Sequence, residues 1–175
     1  MTRRTQHFAR TGKGRNGGLR CAQAGAIVST MLPVSPAPKT RPIPAVLAVV
    51  IRDEQALLIR RANPPDAGLW GFPGGKLEFG ETLLAAAERE LLEETGVRAI
   101  ARRVFTAIDA YDRTPEGVIL QHFALIAVQC DWQGGEPVAA DDALDARWMP
   151  VNQMDRARNL SLDVARVAQQ AARRL

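Results

Sequence analysis

Glu90, Glu93 and Glu94 have the types and spacing to do chemistry. They stand at i, i+3 and i+4. On a helix that turns about 100° per residue, they share one face within an arc of roughly 100°. Arg89 directly precedes them and Glu81 lies upstream. Three carboxylates held this close repel one another, and a helix standing alone gains nothing from them. A hard divalent cation removes that cost, because Mg²⁺ takes oxygen ligands and is commonly shared between carboxylates and substrate phosphates. The competing explanation is a solvated, glutamate-rich helix face, and the surrounding residues decide between the two.

The element that positions these groups is a helix over residues 83–95. The stretch has no glycine or proline, and Ala, Leu and Glu dominate it. Thr82 is suited to cap its start, Glu81 places negative charge near the positive end of the dipole, and Gly96 can close it in a left-handed conformation. Leu84, Ala87, Leu91 and Thr95, widened by Ala85 and Leu92, read as its apolar face, with Glu88 at the edge. Ahead of the helix runs Gly74-Gly75-Lys76-Leu77-Glu78-Phe79-Gly80, a loop whose glycines permit close backbone approach.

Gly75, Glu81, Arg89, Glu90, Leu91, Glu93, Glu94, Gly96 and Val97 resemble the signature of the Nudix hydrolase family. That pattern is Gly, five residues, Glu, seven residues, Arg-Glu-aliphatic, one residue, Glu-Glu, one residue, Gly-aliphatic. The lead-in Gly68-Leu69-Trp70-Gly71-Phe72-Pro73-Gly74 is also similar to the family's, and the likeness covers about residues 42–174. The resemblance implies Glu90, Glu93 and Glu94 as Mg²⁺ ligands, with Mn²⁺ as a substitute and a carbonyl of the loop, Gly74, as a further ligand. It implies that Arg89 orients the glutamates by ion pairing and that Glu81 supports that network, so Glu81, Arg89, Glu93 and Glu94 form the catalytic set. The proton acceptor stays open among Glu93, Glu94, Glu116, Glu136, Asp141 and Asp142.

The substrate expected from the resemblance is a nucleoside diphosphate linked to another moiety, ADP-ribose first. A MutT-like nucleoside triphosphate pyrophosphohydrolase and a non-catalytic nucleotide sensor are the alternatives. Pro115 is only a loose counterpart of the proline that marks dedicated ADP-ribose enzymes. Arg60 and Arg61 close a strand, and Arg60 is a candidate phosphate contact beside Gly75. Trp70 reads mainly as core packing beneath the loop and secondarily as a base-stacking platform. Phe72, Phe79 and Tyr111 are the other stacking candidates, and Arg113 and His122 are candidates for a terminal ribose or phosphate.

The net charge of +4 belongs to the first thirty residues, where Arg3, Arg4, Arg10, Lys13, Arg15 and Arg20 meet no acid. The rest of the chain holds 17 basic against 19 acidic residues, a balance of −2, which argues against nucleic acid as a partner. No apolar run reaches the roughly 18–20 residues that cross a membrane; residues 26–34 are short and broken by Pro33. Cys21 and Cys130 are far apart, which suits a reducing, cytoplasmic setting, and with only His7 and His122 beside them no zinc site is expected. Met31 is an alternative start. The expected partners are a nucleotide-derived small molecule and a second copy of the chain.

Residues 1–40 read as a basic, Gly/Pro-rich disordered tail and linker, and residues 41–175 as the folded domain. Within it, 45–51 is a buried strand, 53–55 a turn, and 56–61 a returning strand. After the helix come a strand over 97–109, a polar turn over 111–117, a strand over 118–130, a loop over 131–142 and a short strand over 145–149. Ser161 is set to cap a last helix over 162–174. Strands before, between and after two helices predict an α/β fold with a mixed sheet sandwiched between helices.

Overall fold

The apolar run at 45–51 becomes the centre of the molecule. In the computed structural model, which describes residues 41–173, it forms the middle of strand β1, Ile43–Arg52, with residues 45–50 buried. Side chains alternate across a strand. Val46, Ala48 and Val50 therefore pack with Leu57, Leu91 and Val97, while Leu47 and Val49 pack with Leu58, Phe72, Met149 and Val167. Both faces are apolar because both are covered. Helix α1, Leu83–Thr95, closes the first face, and helix α2, Val164–Ala172, closes the second. The fold is α/β with a mixed sheet between helices. The tail, the linker, Met31 and Arg174 lie outside the described residues.

Strand β1 runs parallel to β5, Ile119–Gly134, from Ile43↔Phe123 to Val50↔Cys130, and β5 pairs antiparallel with β4, Arg98–Arg113. On the other side, β1 turns through Asp53 (φ 49) and Glu54 (φ 61) into β2, Gln55–Arg61. The two strands stay paired only at Ile51↔Ala56 and Arg52↔Gln55. Strand β2 then diverges to pair with β6, Ala143–Pro150, and with the two-residue β3, Trp70–Gly71. The edge of β1 left open is taken by the glycine loop. Val46 N–H donates to Gly75 O at 2.8 Å, Ala48 N–H to Pro73 O at 2.8 Å, and Leu77 N–H to Pro44 O at 3.2 Å.

Several expected bounds shift. Strand β4 continues through Tyr111-Asp112-Arg113, and β5 extends over 131–134, so the two make a long hairpin that is largely exposed on β4. Polar residues are tolerated there because one side faces water. Residues 151–156 form a 3-10 helix, Val151–Arg156, and β3 is a further short element. Ser161 does not cap the last helix. Asp163 occupies that position in a left-handed conformation, the helix starts at Val164, and Leu162 precedes it.

The buried stripe of α1 also differs from the expected face. Ala86, Ala87, Leu91, Glu94 and Thr95 are buried, whereas Leu84 and Leu92 are 37% and 48% exposed. The stripe therefore runs at helical spacing through one of the carboxylates, Glu94. Glu88 is exposed but not idle, since its Oε1 accepts the Ala101 N–H at 2.7 Å.

Candidate active site

The helix that carries the glutamates is fixed at both ends by local chemistry. Thr82 Oγ1 accepts the Ala85 N–H at 3.2 Å. Gly96 adopts φ 67 and returns its N–H to Leu92 O at 2.9 Å. Between these caps, Arg89 forks onto three carboxylates. Its Nε donates to Glu81 Oε1 at 2.9 Å and its Nη2 to Glu81 Oε2 at 3.0 Å. Its Nη1 donates to Glu90 Oε1 at 2.8 Å and to Glu93 Oε2 at 2.9 Å. A planar guanidinium alone offers this many directed donors. The carboxylates around it hold Arg89 firmly protonated, and Arg89 in turn keeps Glu81 below the usual carboxylate range.

Glu94 is set differently. It is 3% exposed, and its Oε2 accepts the Gly74 N–H at 2.8 Å. Burial pushes its carboxyl up to about 7, partly opposed by that hydrogen bond and by Arg61. Burial also raises Glu90, against the pull of Arg89. The glycine loop tolerates no side chains here. A Cβ on Gly74 would lie 2.1 Å from Val46 O, and one on Gly75 would lie 2.4 Å from Glu90 Oε1.

These groups line a cleft of about 560 Å³. Glu90, Glu93, Glu94, Arg89, Gly74 and Gly75 all contribute to its wall; Glu81 stands behind Arg89. Among the described residues, no three His, Cys, Asp or Glu side chains form a ready-made metal cage. The donors are nevertheless hard oxygens, and Glu94 is one that is buried. That set fits a cation shared with substrate phosphates rather than one enclosed by protein alone.

The remaining candidates divide sharply. Trp70 is 3% exposed, sits in the core and carries the Arg147 guanidinium 3.9 Å above its ring; it does not line the cleft, so its packing role is the one the geometry supports. Arg60 points away from the cleft and donates to Gly68 O at 3.0 Å, whereas Arg61 lines it. Successive strand side chains face opposite ways, but β2 is buried on both faces over residues 56–59, which hid the phase. Asp141 and Asp142 lie in the cleft wall. Glu136 instead pairs with Arg52 at 3.1 Å, and Glu116 sits exposed in the β4–β5 turn. Phe79 is fully exposed, Phe72 is 1% exposed, and Tyr111 stacks on His122 at 4.7 Å, while His122 bonds Asp109 at 2.8 Å. Arg113 lies 4.9 Å over the Tyr111 ring.

Comparison with known proteins agrees with this geometry. The family model described as NUDIX domain matches residues 41–171. An ADP-ribose pyrophosphatase of Methanocaldococcus jannaschii is 36% identical over 113 residues, covering 65% of this chain and 64% of that protein. A putative 8-oxo-dGTP diphosphatase 2 of Mycobacterium tuberculosis is 32% identical, covering 70% of this chain and 93% of that one. Among solved structures, a MutT NUDIX hydrolase from Burkholderia pseudomallei superposes with a TM-score of 0.64 at 26% identity, covering 75% of this chain and 98% of that one. A bifunctional NMN adenylyltransferase/ADP ribose pyrophosphatase from Francisella tularensis, complexed with AMP and a manganese ion, gives 0.58 at 29% identity, covering 79% and 43%. The carboxylate helix, the glycine loop it presses on and the sheet between two helices are those of a Nudix domain, and the chain belongs to the Nudix hydrolase family.

Proposed function

We propose that this chain cleaves the pyrophosphate bond of a nucleoside diphosphate linked to another moiety, an ADP-ribose-like molecule first among them, using Mg²⁺. One observation carries the reading. A buried carboxylate, Glu94, and two carboxylates clasped by Arg89 converge on a glycine loop in a cleft large enough for a dinucleotide-like ligand. The archaeal relative named ADP-ribose pyrophosphatase supports the substrate class. The Francisella tularensis structure, with its AMP and manganese ion, supports the pairing of nucleotide with divalent metal.

Bound metal neutralises phosphate charge and lowers the pKa of a coordinated water. The chain's residues set the frame for that chemistry. Glu90, Glu93 and Glu94 would supply the ligands, together with the Gly74 carbonyl that the family resemblance adds to them. Glu81 fixes Arg89, and Arg89 holds Glu90 and Glu93 in register. Arg61 offers a cation to the phosphates, taking the role first given to Arg60. Of the candidates for the water's proton acceptor, Glu93, Glu94, Asp141 and Asp142 lie in the cleft wall. The reducing, cytoplasmic setting suggested by composition suits a nucleotide hydrolase.

A panel of nucleotides with Mg²⁺ and Mn²⁺ tests the proposal. ADP-ribose is expected to give AMP and ribose 5-phosphate. A second reading, a MutT-like nucleoside triphosphate pyrophosphohydrolase, is favoured by the mycobacterial relative, which is matched over nearly all its length. That reading predicts pyrophosphate and a nucleoside monophosphate instead. No turnover of any nucleotide with either metal would leave only a sensor, a role to which the complete carboxylate set is poorly suited.

A further inference from the structure

The cleft has a second half whose chemistry differs from the first. Ile108 and Ala110 of β4 and Phe123 and Leu125 of β5 line it. Ile108 pairs with Leu125 and Ala110 with Phe123, so the four side chains make one continuous apolar strip on a single face of the hairpin. The strip is joined to the site through the sheet. Leu125 pairs with Ala45 of β1, and Ala45 bridges to Lys76 of the glycine loop. Two strand spacings therefore separate Leu125 from that loop, roughly 10 Å.

Two residues stand out on these walls. The cleft lining holds two aromatic rings, Phe72 and Phe123. Phe72 is sealed in the core at 1% exposure, while Phe123 is half-buried and lines the cleft. On the segment leading into α2, Leu162 also lines the cleft although it is 80% exposed. A large apolar side chain held in water at a cleft mouth gains its burial from whatever enters.

From this geometry we infer that Phe123 and Leu162 hold the nucleobase of the substrate, Phe123 as the platform in the hairpin floor and Leu162 as the closing contact at the mouth. The inference rests on the hydrolase reading for the phosphates that anchor the ligand beside Glu90, Glu93 and Glu94. A nucleobase fits better than an alkyl chain or a peptide side chain, for two reasons. The apolar strip is continuous with the acidic half. The spacing from Leu125 to the glycine loop is also on the order of the reach of a ribose and its phosphate, so a nucleotide whose phosphate lies at that loop extends its base along the strip. The strip tolerates any base with a π-face, and apolar contact discriminates weakly among similar bases, so selectivity for a single base is not expected from these two residues.

Phe123→Ala and Leu162→Ala test the inference in the full chain. The first readout is calorimetric titration of AMP, GMP, CMP and UMP into the protein with Mn²⁺. Loss of a base–aromatic contact is expected to weaken binding of each by on the order of tenfold to a hundredfold in Phe123→Ala. A smaller, several-fold loss is expected in Leu162→Ala, whose exposed position leaves the fold undisturbed. The second readout is the ratio of kcat/KM for the best nucleotide substrate to that for the same diphosphate lacking its base. That ratio is expected to fall about tenfold or more in Phe123→Ala. A merely structural defect would depress both substrates together and leave the ratio unchanged, which would overturn the inference, as would unaltered monophosphate binding in both variants. Wild-type protein that binds monophosphates through Phe123 but turns over no nucleotide would support the base site while sinking the hydrolase.

Discussion

Glu94 is the residue whose environment is most at odds with its charge. Burial raises its carboxyl to about 7, above the ordinary value of 4.5, so the metal-free fold holds this proton more tightly than the unfolded chain does. Its stabilising contribution is present below about 4.5 and is lost as pH rises towards about 7. Thermal melts of chelated protein should therefore decline across that window, and a divalent cation should reverse the decline. Metal uptake itself should strengthen as pH rises through about 7, because the ligand must be ionised; titration with Mn²⁺ across that range reads this directly. Glu94→Gln is expected to lose turnover by orders of magnitude with an unchanged circular dichroism spectrum. Unchanged turnover with Mg²⁺ would refute the metal assignment. Arg89→Lys removes the fork while keeping the charge, and kcat should drop by roughly ten- to hundredfold. Types and spacing at 89–94 were legible from the sequence, because a helix converts spacing directly into a shared face. The difference between Glu94, sealed beneath Gly74, and Glu93, half in solvent, was not, since it depends on a loop twenty residues earlier in the chain.

At the scale of elements, α1 is where local and global preferences agree. Thr82, Gly96 and the Ala/Leu/Glu interior each specify the helix on their own terms. Its buried stripe was misread because one of its members, Glu94, is charged, and hydrophobicity alone steers such a position towards water while drawing Leu84 and Leu92 inward. Leu91 lies fully buried in that stripe, and Leu91→Ala should cost about 2–5 kcal/mol in denaturant unfolding. The glycine loop, by contrast, is specified by contact. Gly74→Ala would press a methyl group against Val46 O, and it should lower Tm by several degrees and activity along with it. Strand β3 and the 3-10 helix were illegible because two to six residues carry too little periodicity. The true phase of β2 was illegible because a strand buried on both faces has no alternation to read.

For the whole molecule, the layered α/β plan was legible because residues 45–51 of β1 are an unbroken apolar run and the two helices differ in composition from the strands. The length of the β4–β5 hairpin was not, since its polar tip at Tyr111-Asp112-Arg113 resembles a turn. Two core clusters, one on each side of the sheet, share β1, β2 and β5, whose alternate side chains feed both. Among the described residues, no helix is long and apolar enough to cross a membrane.

The early parting of β1 from β2 has a lasting effect on how the protein ages and fails. The glycine loop is stitched into the vacated edge through the amides of Val46 and Ala48, which lie in the buried stretch of β1. Those two amides should exchange with deuterium as slowly as the deepest core positions. Heat inactivation should then track loss of the entire sheet, with no earlier stage at which the loop alone comes undone.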